Sequence, residues 1–315
     1  MPKKQKILLI GGSGFIGLHL ARSLSSSNEV CIFCKNPGKL RNLAFLKNVQ
    51  FIGGDVAVYD DVENSVRGKD VIINLASVVN AHADFDAFED LEVNCRGTIN
   101  ILEARKNINP NSRCIFIGTR AQFGRVKEKE LPVSEDYPQN PISLYGIHKS
   151  AAESYCGLYK RAFGICSIVL RLPQVYGPSL NLEETHSIID KFARKAMNGG
   201  QVNVYGYGND LKDLLFVDDF TELIARILKS NVDDGVFNVG SGKKIKLGDI
   251  AKKIVAACKS GSFKLAGFPK EKIPFELGSF YFDISKVSRE FSWKPKTGID
   301  EGIKKVVDFY KRGEK

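Results

Sequence analysis

The chain opens on an apolar run, Ile7 to Ile10, with charged and polar residues before it and glycines directly behind it. An apolar run without alternation predicts a strand buried on both faces. From Phe15 to Leu24 the apolar residues fall instead at helical spacing, so a helix is predicted that packs back on that strand. The two periods then alternate. Strands are predicted at Glu29–Cys34, Val49–Ile52, Asp70–Ala76, Arg113–Ile117 and Cys166–Arg171, and the helix Glu89–Lys106 places Leu91, Val93, Ile99 and Leu102 among its apolar positions. Beyond residue 172 the rhythm weakens. Ser187–Met197, Asp218–Leu228, Leu247–Ala257 and Gly302–Arg312 read as helices, Val202–Tyr205 as a short strand, and Val236–Val239 as a strand that rejoins the sheet. Alternation of this kind predicts an α/β protein with a doubly wound parallel sheet.

Gly11, Gly14 and Gly17 stand at three-residue spacing where the first strand turns into the first helix. One glycine there permits backbone angles that side chains forbid, a second lets the main chain approach a diphosphate, and a third lets helix and strand pack closely. The N–H groups opening the helix, around Phe15 and Ile16, attract the phosphate charge. A glycine-rich turn without a ligand is the plain alternative, but strand, glycines and helix arrive in the order that dinucleotide binding requires. The expected organisation is therefore a Rossmann-type domain over residues 1–172, with 214–240 returning to it. A smaller mixed α/β substrate lobe is expected from 173–213 and 241–315.

The end of the second strand sorts the cofactor, because an acid there holds the ribose hydroxyls of NAD. Here Cys34, Lys35 and Asn36 stand at that turn, with Lys39 and Arg41 following. A cation at this place accepts the extra phosphate of NADP, so Lys35 and Arg41 favour NADP(H), with NAD(H) possible. Asp55 and Val56, after the third strand, are expected at the adenine, although Asp55 reads equally as a turn former. Leu75 and Ala76 carry the fourth strand into the same site.

The second constellation is Tyr145 and Lys149 in SLYGIHKSAAE. Four residues apart on a helix, they share a face. A nearby ammonium favours the phenolate, so the tyrosine can exchange a proton where it otherwise holds it. The pair is common by chance; behind a dinucleotide turn and a strand ending in Gly118-Thr119 it becomes specific.

Composition changes this picture little. The chain has 315 residues, 43% hydrophobic and 26% charged, as in an ordinary globule, and its 46 Lys and Arg against 36 Asp and Glu leave +10. That excess suits anionic ligands but is spread rather than blocked, and membrane or nucleic-acid binding is not expected. The seven cysteines show no metal spacing, which fits reduced thiols in the cytoplasm. The apolar run behind the basic first residues ends too soon for a signal peptide, and no stretch reaches membrane-span length.

Together GGSGFIG, Gly118-Thr119, Tyr145 to Lys149 and RLPQVYGP resemble the extended short-chain dehydrogenase/reductase family, in particular its nucleotide-sugar epimerases, dehydratases and ketoreductases. The likeness covers nearly the whole chain, taking in Val93 to Thr98 (including Asn94), Lys212 to Asp219, Phe237 to Gly240 and Asp283 to Lys286. It implies Tyr145 as proton donor or acceptor at the sugar oxygen, Lys149 as the group that holds the nicotinamide ribose and lowers the tyrosine pKa, and Thr119 as the hydroxyl that orients the same oxygen. Pro173 would border the cofactor, and Gln174, Tyr205 and Lys212 the substrate, a nucleotide-diphosphate sugar. Asn94 reads as structural or as a site residue.

Departures narrow the choice. The family's 4,6-dehydratases carry Asp-Glu after the Thr, and here Arg120-Ala121 stand there. Lys212 replaces an Arg, and of the arginine usual some ten residues before Asp283 only Lys270 and Lys272 remain nearby. The expected function is NADPH-dependent reduction of a nucleotide-linked 4-keto sugar, with a deoxysugar destined for surface polysaccharide as the expected product. An NAD-dependent 4-epimerase is the alternative, and a non-enzymatic RNA-binding relative a third reading. A homodimer is expected, through the helices at Glu89–Lys106 and Tyr145–Phe163.

Overall fold

The computed structural model describes residues 4–40, 46, 48–79, 86–180 and 187–313. The chain divides into two compact units, the first made of residues 1–124, 139–171 and 229–237, the second of 125–138, 172–228 and 238–315.

In the first unit β1 (Lys6–Ile10), α1 (Phe15–Leu24), β2 (Glu29–Cys34), β3 (Val49–Gly53), α2 (Tyr59–Val66) and β4 (Val71–Asn74) follow one another. Next, α3 (Ala87–Leu91) runs through a π-helical turn, Glu92–Arg96, into α4 (Gly97–Ile108). β5 (Arg113–Thr119), α5 (Leu144–Phe163) and β6 (Ile168–Leu172) complete the alternation. The second unit holds β7 (Gln174–Tyr176), α6 (Ile188–Met197), β8 (Gln201–Val204), β9 (Leu211–Lys212), β10 (Leu214–Phe216) and α7 (Val217–Lys229). The chain then returns as β11 (Gly235–Asn238) and ends in the second unit with β12 (Ile245–Lys246), α8 (Leu247–Cys258), β13 (Ser262–Leu265), α9 (Ser285–Glu290) and α10 (Ile299–Lys311).

The large sheet has seven strands in the order β11-β6-β5-β4-β1-β2-β3. Ile7 pairs in parallel with Val30 on one side and Val71 on the other, so β1 is a central strand, as its unbroken apolar run requires. The winding reverses between β1 and β4. Ligands of such sheets bind beyond the carboxyl ends of the strands at this reversal, and the glycine turn after Ile10 and the segment after Asn74 lie there.

Burial explains the local choices. Leu8, Ile10, Phe33 and Ile72 pack with Val62 and Val66 of α2 and with Ile101 and Ala104 of α4, while Phe116 and Val169 pack with Ala152, Cys156 and Tyr159 of α5. The second unit gathers α6, α8 and α10 around Tyr176 and Phe216 through Ile189, Ala193, Ile250, Ile254, Val306 and Val307. Residues 214–228 group with the second unit, in which β10 pairs with β7, and the segment that groups with the first is 229–237. All seven cysteines are unpaired, and among the described residues no helix is long and apolar enough to cross a membrane.

Candidate active site

The three glycines of the first turn do different work. Gly11 has φ +73°, donates its N–H to the Phe33 carbonyl at 2.9 Å, and a Cβ built on it comes within 2.6 Å of the Ala76 backbone. A Cβ on Gly17 falls 2.4 Å from the Gly12 carbonyl oxygen, so this glycine closes the helix onto the turn. On Gly14 a Cβ meets only the Gly11 carbonyl oxygen, at 3.7 Å. Gly14 also caps α1 with no side chain, and the first turn carries no acid. Space and a helix N-terminus are thus kept for an anion, which fits the diphosphate of a dinucleotide.

This separation gives a two-part prediction. Gly17→Ala is expected to destabilise the fold by about 1–3 kcal/mol, because backbone must move to admit the methyl. Gly14 has φ −76°, which alanine adopts, so Gly14→Ala is expected to keep the melting temperature and weaken cofactor binding about tenfold by crowding the diphosphate. Calorimetry on both variants checks this; a Gly14→Ala protein that binds cofactor as the parent does contradicts it.

At the end of β2, Cys34 is buried, and burial pushes its thiol up. Lys35 is not left open to solvent alone: its Nζ lies 3.1 Å from Asp55 Oδ2. Asp55 also accepts the Ala57 N–H at 3.0 Å, so it is at once the turn former and the lysine's partner. Val56 is buried and accepts Asn100 Nδ2 at 2.9 Å on its carbonyl. Arg41 lies outside the described residues.

Tyr145 sits in the first turn of α5, one residue past the start. Ser143 caps that helix by accepting the Gly146 N–H at 3.1 Å. A Cβ on Gly146 falls 2.5 Å from the Ala121 carbonyl oxygen, so only glycine lets the helix start press against the turn that carries Thr119. Burial, its largest influence, raises the pKa of Tyr145 above that of an ordinary tyrosine, while the Ser77 and Thr119 hydroxyls pull it the other way. Thr119 is fixed in turn: its Oγ1 accepts the Ala121 N–H at 3.2 Å and its own N–H donates to Gln122 Oε1 at 2.7 Å.

Lys149, one turn further on, is 2% exposed, with Nζ 4.6 Å from the centre of the Phe116 ring. Burial brings its ammonium down to about 8, against the opposing pull of Cys156, Asp90 and Cys95. Another turn along α5 comes Glu153, which accepts Gln122 Nε2 at 2.7 Å, Gln139 Nε2 at 2.8 Å and Arg171 Nε at 3.0 Å. Beneath the site, the π turn carries Asn94, which is 1% exposed and bonded to Ser77 and Asp90. Sequence reasoning missed Ser77, Asp90 and Glu153; only Glu153 carried a signal, continuing the four-residue spacing of Tyr145 and Lys149.

Leu75 donates its N–H to the Ile10 carbonyl at 2.8 Å, which holds the β4 exit beside the glycine turn. Pro173 is buried at the end of β6 and Gln174, half-buried, opens β7. Tyr205, also half-buried, has its ring 6.1 Å from that of Phe268. Lys212 is expected from the sequence as a point charge for a diphosphate; the structure sets its Nζ 3.5 Å from both Asp210 and Glu276, so part of its charge is already answered.

Comparison with known proteins agrees with this geometry. The profile of the NAD dependent epimerase/dehydratase family matches residues 7–240. The UDP-glucose 4-epimerase of Thermus thermophilus, solved in complex with NAD, is 28% identical, with a TM-score of 0.86 over 98% of this chain and 99% of that one. A dTDP-glucose 4,6-dehydratase of Streptomyces niveus is 26% identical over 97% of this chain and 93% of its own. The UDP-N-acetylglucosamine 4-epimerase of Methanobrevibacter ruminantium M1, at 23% identity and a TM-score of 0.87 over 99% of each chain, shares the fold. With the glycine turn, Thr119, Tyr145 and Lys149 all inside the matched span, the chain belongs to the NAD-dependent epimerase/dehydratase family.

Proposed function

We propose that this protein is an NADPH-dependent reductase of a nucleotide-linked 4-keto sugar, with Tyr145 as the proton donor. The observation that carries the reading is the placement of Tyr145, one turn before the buried Lys149 on α5, where burial favours its protonated form against the opposing pull of the Ser77 and Thr119 hydroxyls. A carbonyl oxygen that gains negative charge needs such a donor at hand. The Thr119 hydroxyl, whose oxygen already accepts a backbone N–H, has its hydrogen left to orient the same carbonyl. When bound, the nicotinamide supplies the hydride. Gly11, Gly14 and the start of α1 hold its diphosphate, and Lys149 takes the ribose and stabilises the phenolate left after proton transfer. Dehydration is disfavoured because Arg120 and Ala121 stand where water elimination needs two carboxyl groups.

A 4-epimerase is the second reading, favoured by one observation of the structure and one likeness. Lys35, the cation assigned to the NADP phosphate, is paired with Asp55, and the Thermus enzyme described above is a 4-epimerase complexed with NAD. The same residues then serve in both directions, Tyr145 taking the hydroxyl proton and returning it once the carbonyl presents its other face. Binding of NADPH against NADH to cofactor-stripped protein separates the readings. A clear NADPH preference, followed by turnover of 4-keto nucleotide sugars, supports the reductase; tight NAD with interconversion of UDP-hexoses gives the epimerase.

Lys149 sets a pH dependence. Below about pH 8 its ammonium is charged and stabilises the phenolate that forms; above it the charge, and with it the support, is lost. The reduction rate at limiting substrate is therefore expected to fall as pH rises through about 8, a profile that reports the free enzyme. A rate flat from neutral to well above that value removes Lys149 from this role.

The exposed Phe88, Leu91, Ile147 and Leu158 on α3 and α5 supply apolar faces for a homodimer. We place the protein in the cytoplasm, where its unpaired thiols stay reduced.

A further inference from the structure

The turn that carries Thr119 is tied to α5 at two points. The first is the close approach already described, where Gly146 lets the start of the helix reach the Ala121 carbonyl. The second lies two helical turns further along. Gln122, 0% exposed, donates from Nε2 to Glu153 Oε2 at 2.7 Å and accepts the Thr119 N–H on Oε1 at 2.7 Å. Chemistry fixes which way this amide points. A carboxylate only accepts and a backbone N–H only donates, so nitrogen toward Glu153 and oxygen toward Thr119 is the arrangement that serves both ends.

Glu153 is itself held from several sides. Besides Gln122 it receives Gln139 Nε2 at 2.8 Å and both Nε and Nη2 of Arg171 on β6, so its oxygens are not free to turn away. The sequence also leaves room for the amide, since a Cβ built on Gly118 falls 2.6 Å from Gln122 Oε1. Thr119 answers within the turn: its Oγ1 accepts the Ala121 N–H at 3.2 Å, so Thr119 and Gln122 cap the turn reciprocally. The hydroxyl oxygen is therefore placed by two bonds, one on the oxygen itself and one on the N–H of its own residue. An apolar side chain could fill the space of Gln122 without the cost of burying an amide. What the amide adds is the link from Glu153 to Thr119.

We infer that Gln122 is a positioning residue for Thr119, with Glu153 as its anchor. The helix serves as a ruler, carrying Tyr145 in its first turn and Glu153 two turns on. Through Gln122 the Thr119 hydroxyl is thus set at a fixed offset from the tyrosine of the same rigid element. The inference rests on the proposed role of Thr119 in orienting the substrate carbonyl, where a misplacement of about 1 Å costs up to about a hundredfold in rate.

The test reads Thr119 by NMR on the full chain labelled with 15N and 13C at threonine, its signals assigned by their loss in Thr119→Val. Gln122→Leu keeps much of the volume and removes the amide. Hydrogen exchange at the Thr119 N–H is expected to rise about tenfold as its bond is lost. Its methyl carbon is expected to shift as the side chain samples further rotamers. A lowered melting temperature with the Thr119 signals unmoved means that Gln122 only braces the core, and overturns the proposal. The second readout is single-turnover oxidation of NADPH by a 4-keto nucleotide sugar, which Gln122→Leu is expected to slow about ten- to a hundredfold at unchanged cofactor affinity. In a Thr119→Val background the same substitution is expected to cost nothing further, and an equal cost in both backgrounds also overturns the proposal. If Gln122→Leu does not fold, Gln122→Met, whose flexible chain fills the same space, replaces it in both measurements. Should Thr119→Val keep the parent rate, the reading of Thr119 fails, and the NMR result alone decides whether Gln122 places it.

Discussion

Tyr145→Phe is expected to lower turnover by about 10²–10⁴-fold, the usual contribution of a positioned general acid. The substitution removes a single oxygen. The ring keeps its place in the first turn of α5, and Gly146, whose missing side chain sets the approach of that helix to Ala121, is unchanged. Lys149 stays buried over Phe116, so cofactor affinity should change little. What is lost is the phenolic hydrogen beside the Thr119 and Ser77 hydroxyls. Neither hydroxyl replaces it, since aliphatic hydroxyls are far weaker acids than a phenol. The measurement is single-turnover loss of nicotinamide absorbance with a 4-keto nucleotide sugar, alongside a binding titration. A rate kept at the parent level would falsify the assignment of Tyr145, and a loss confined to binding would move its role to the cofactor.

Glu153→Ala is expected to cost about 3–5 kcal/mol of folding stability, because it takes from the buried Arg171 the carboxylate paired with it. Glu153 and Arg171 have side chains only 11% and 6% exposed, and the carboxylate also receives Gln122 and Gln139. The pair is more than ballast. Gln122 spends its amide nitrogen on Glu153 and its amide oxygen on the Thr119 N–H, so the carboxylate on α5 indirectly sets where Thr119 stands. Urea denaturation measures the stability loss. Glu153→Gln should recover part of it, since an amide oxygen still accepts although the carboxylate's charge is gone. A loss below about 1 kcal/mol for Glu153→Ala would mean the network is not coupled as its geometry indicates.

Much of the first unit was legible because its signals are local. The run Ile7–Ile10, the glycine spacing and the helical period from Phe15 each lie within a few residues, and β1, the turn and α1 stand where those patterns put them. Tyr145 and Lys149 were legible for the same reason, as a four-residue spacing on one helix. The partners that define the site were not. Ser77 lies beyond a strand end, Asp90 on a short helix and Glu153 deep in a long one, and what holds them there is hydrogen bonding to partners distant in sequence, 14 positions from Gln139 to Glu153 and 58 from Asp90 to His148. No period in a sequence encodes such contacts. The π turn was hidden too, since Glu89–Lys106 keeps a helical pattern of apolar residues straight through it. In the second unit the pairing of Lys212 with Glu276 escaped notice because the two are far apart in the chain.

The chain passes between its two units repeatedly, leaving the first after residue 124, rejoining it at 139, leaving again after 171 and coming back for 229–237. Neither unit is therefore a genetic module. A sheet truncated after β6 would lose β11 and leave β6 as a bare edge, open to pairing with a second chain. Swapping the second unit between relatives requires exchanging several separate stretches at once, and no single crossover delivers them. Change in what this protein accepts is accordingly a matter of point substitutions within one indivisible chain.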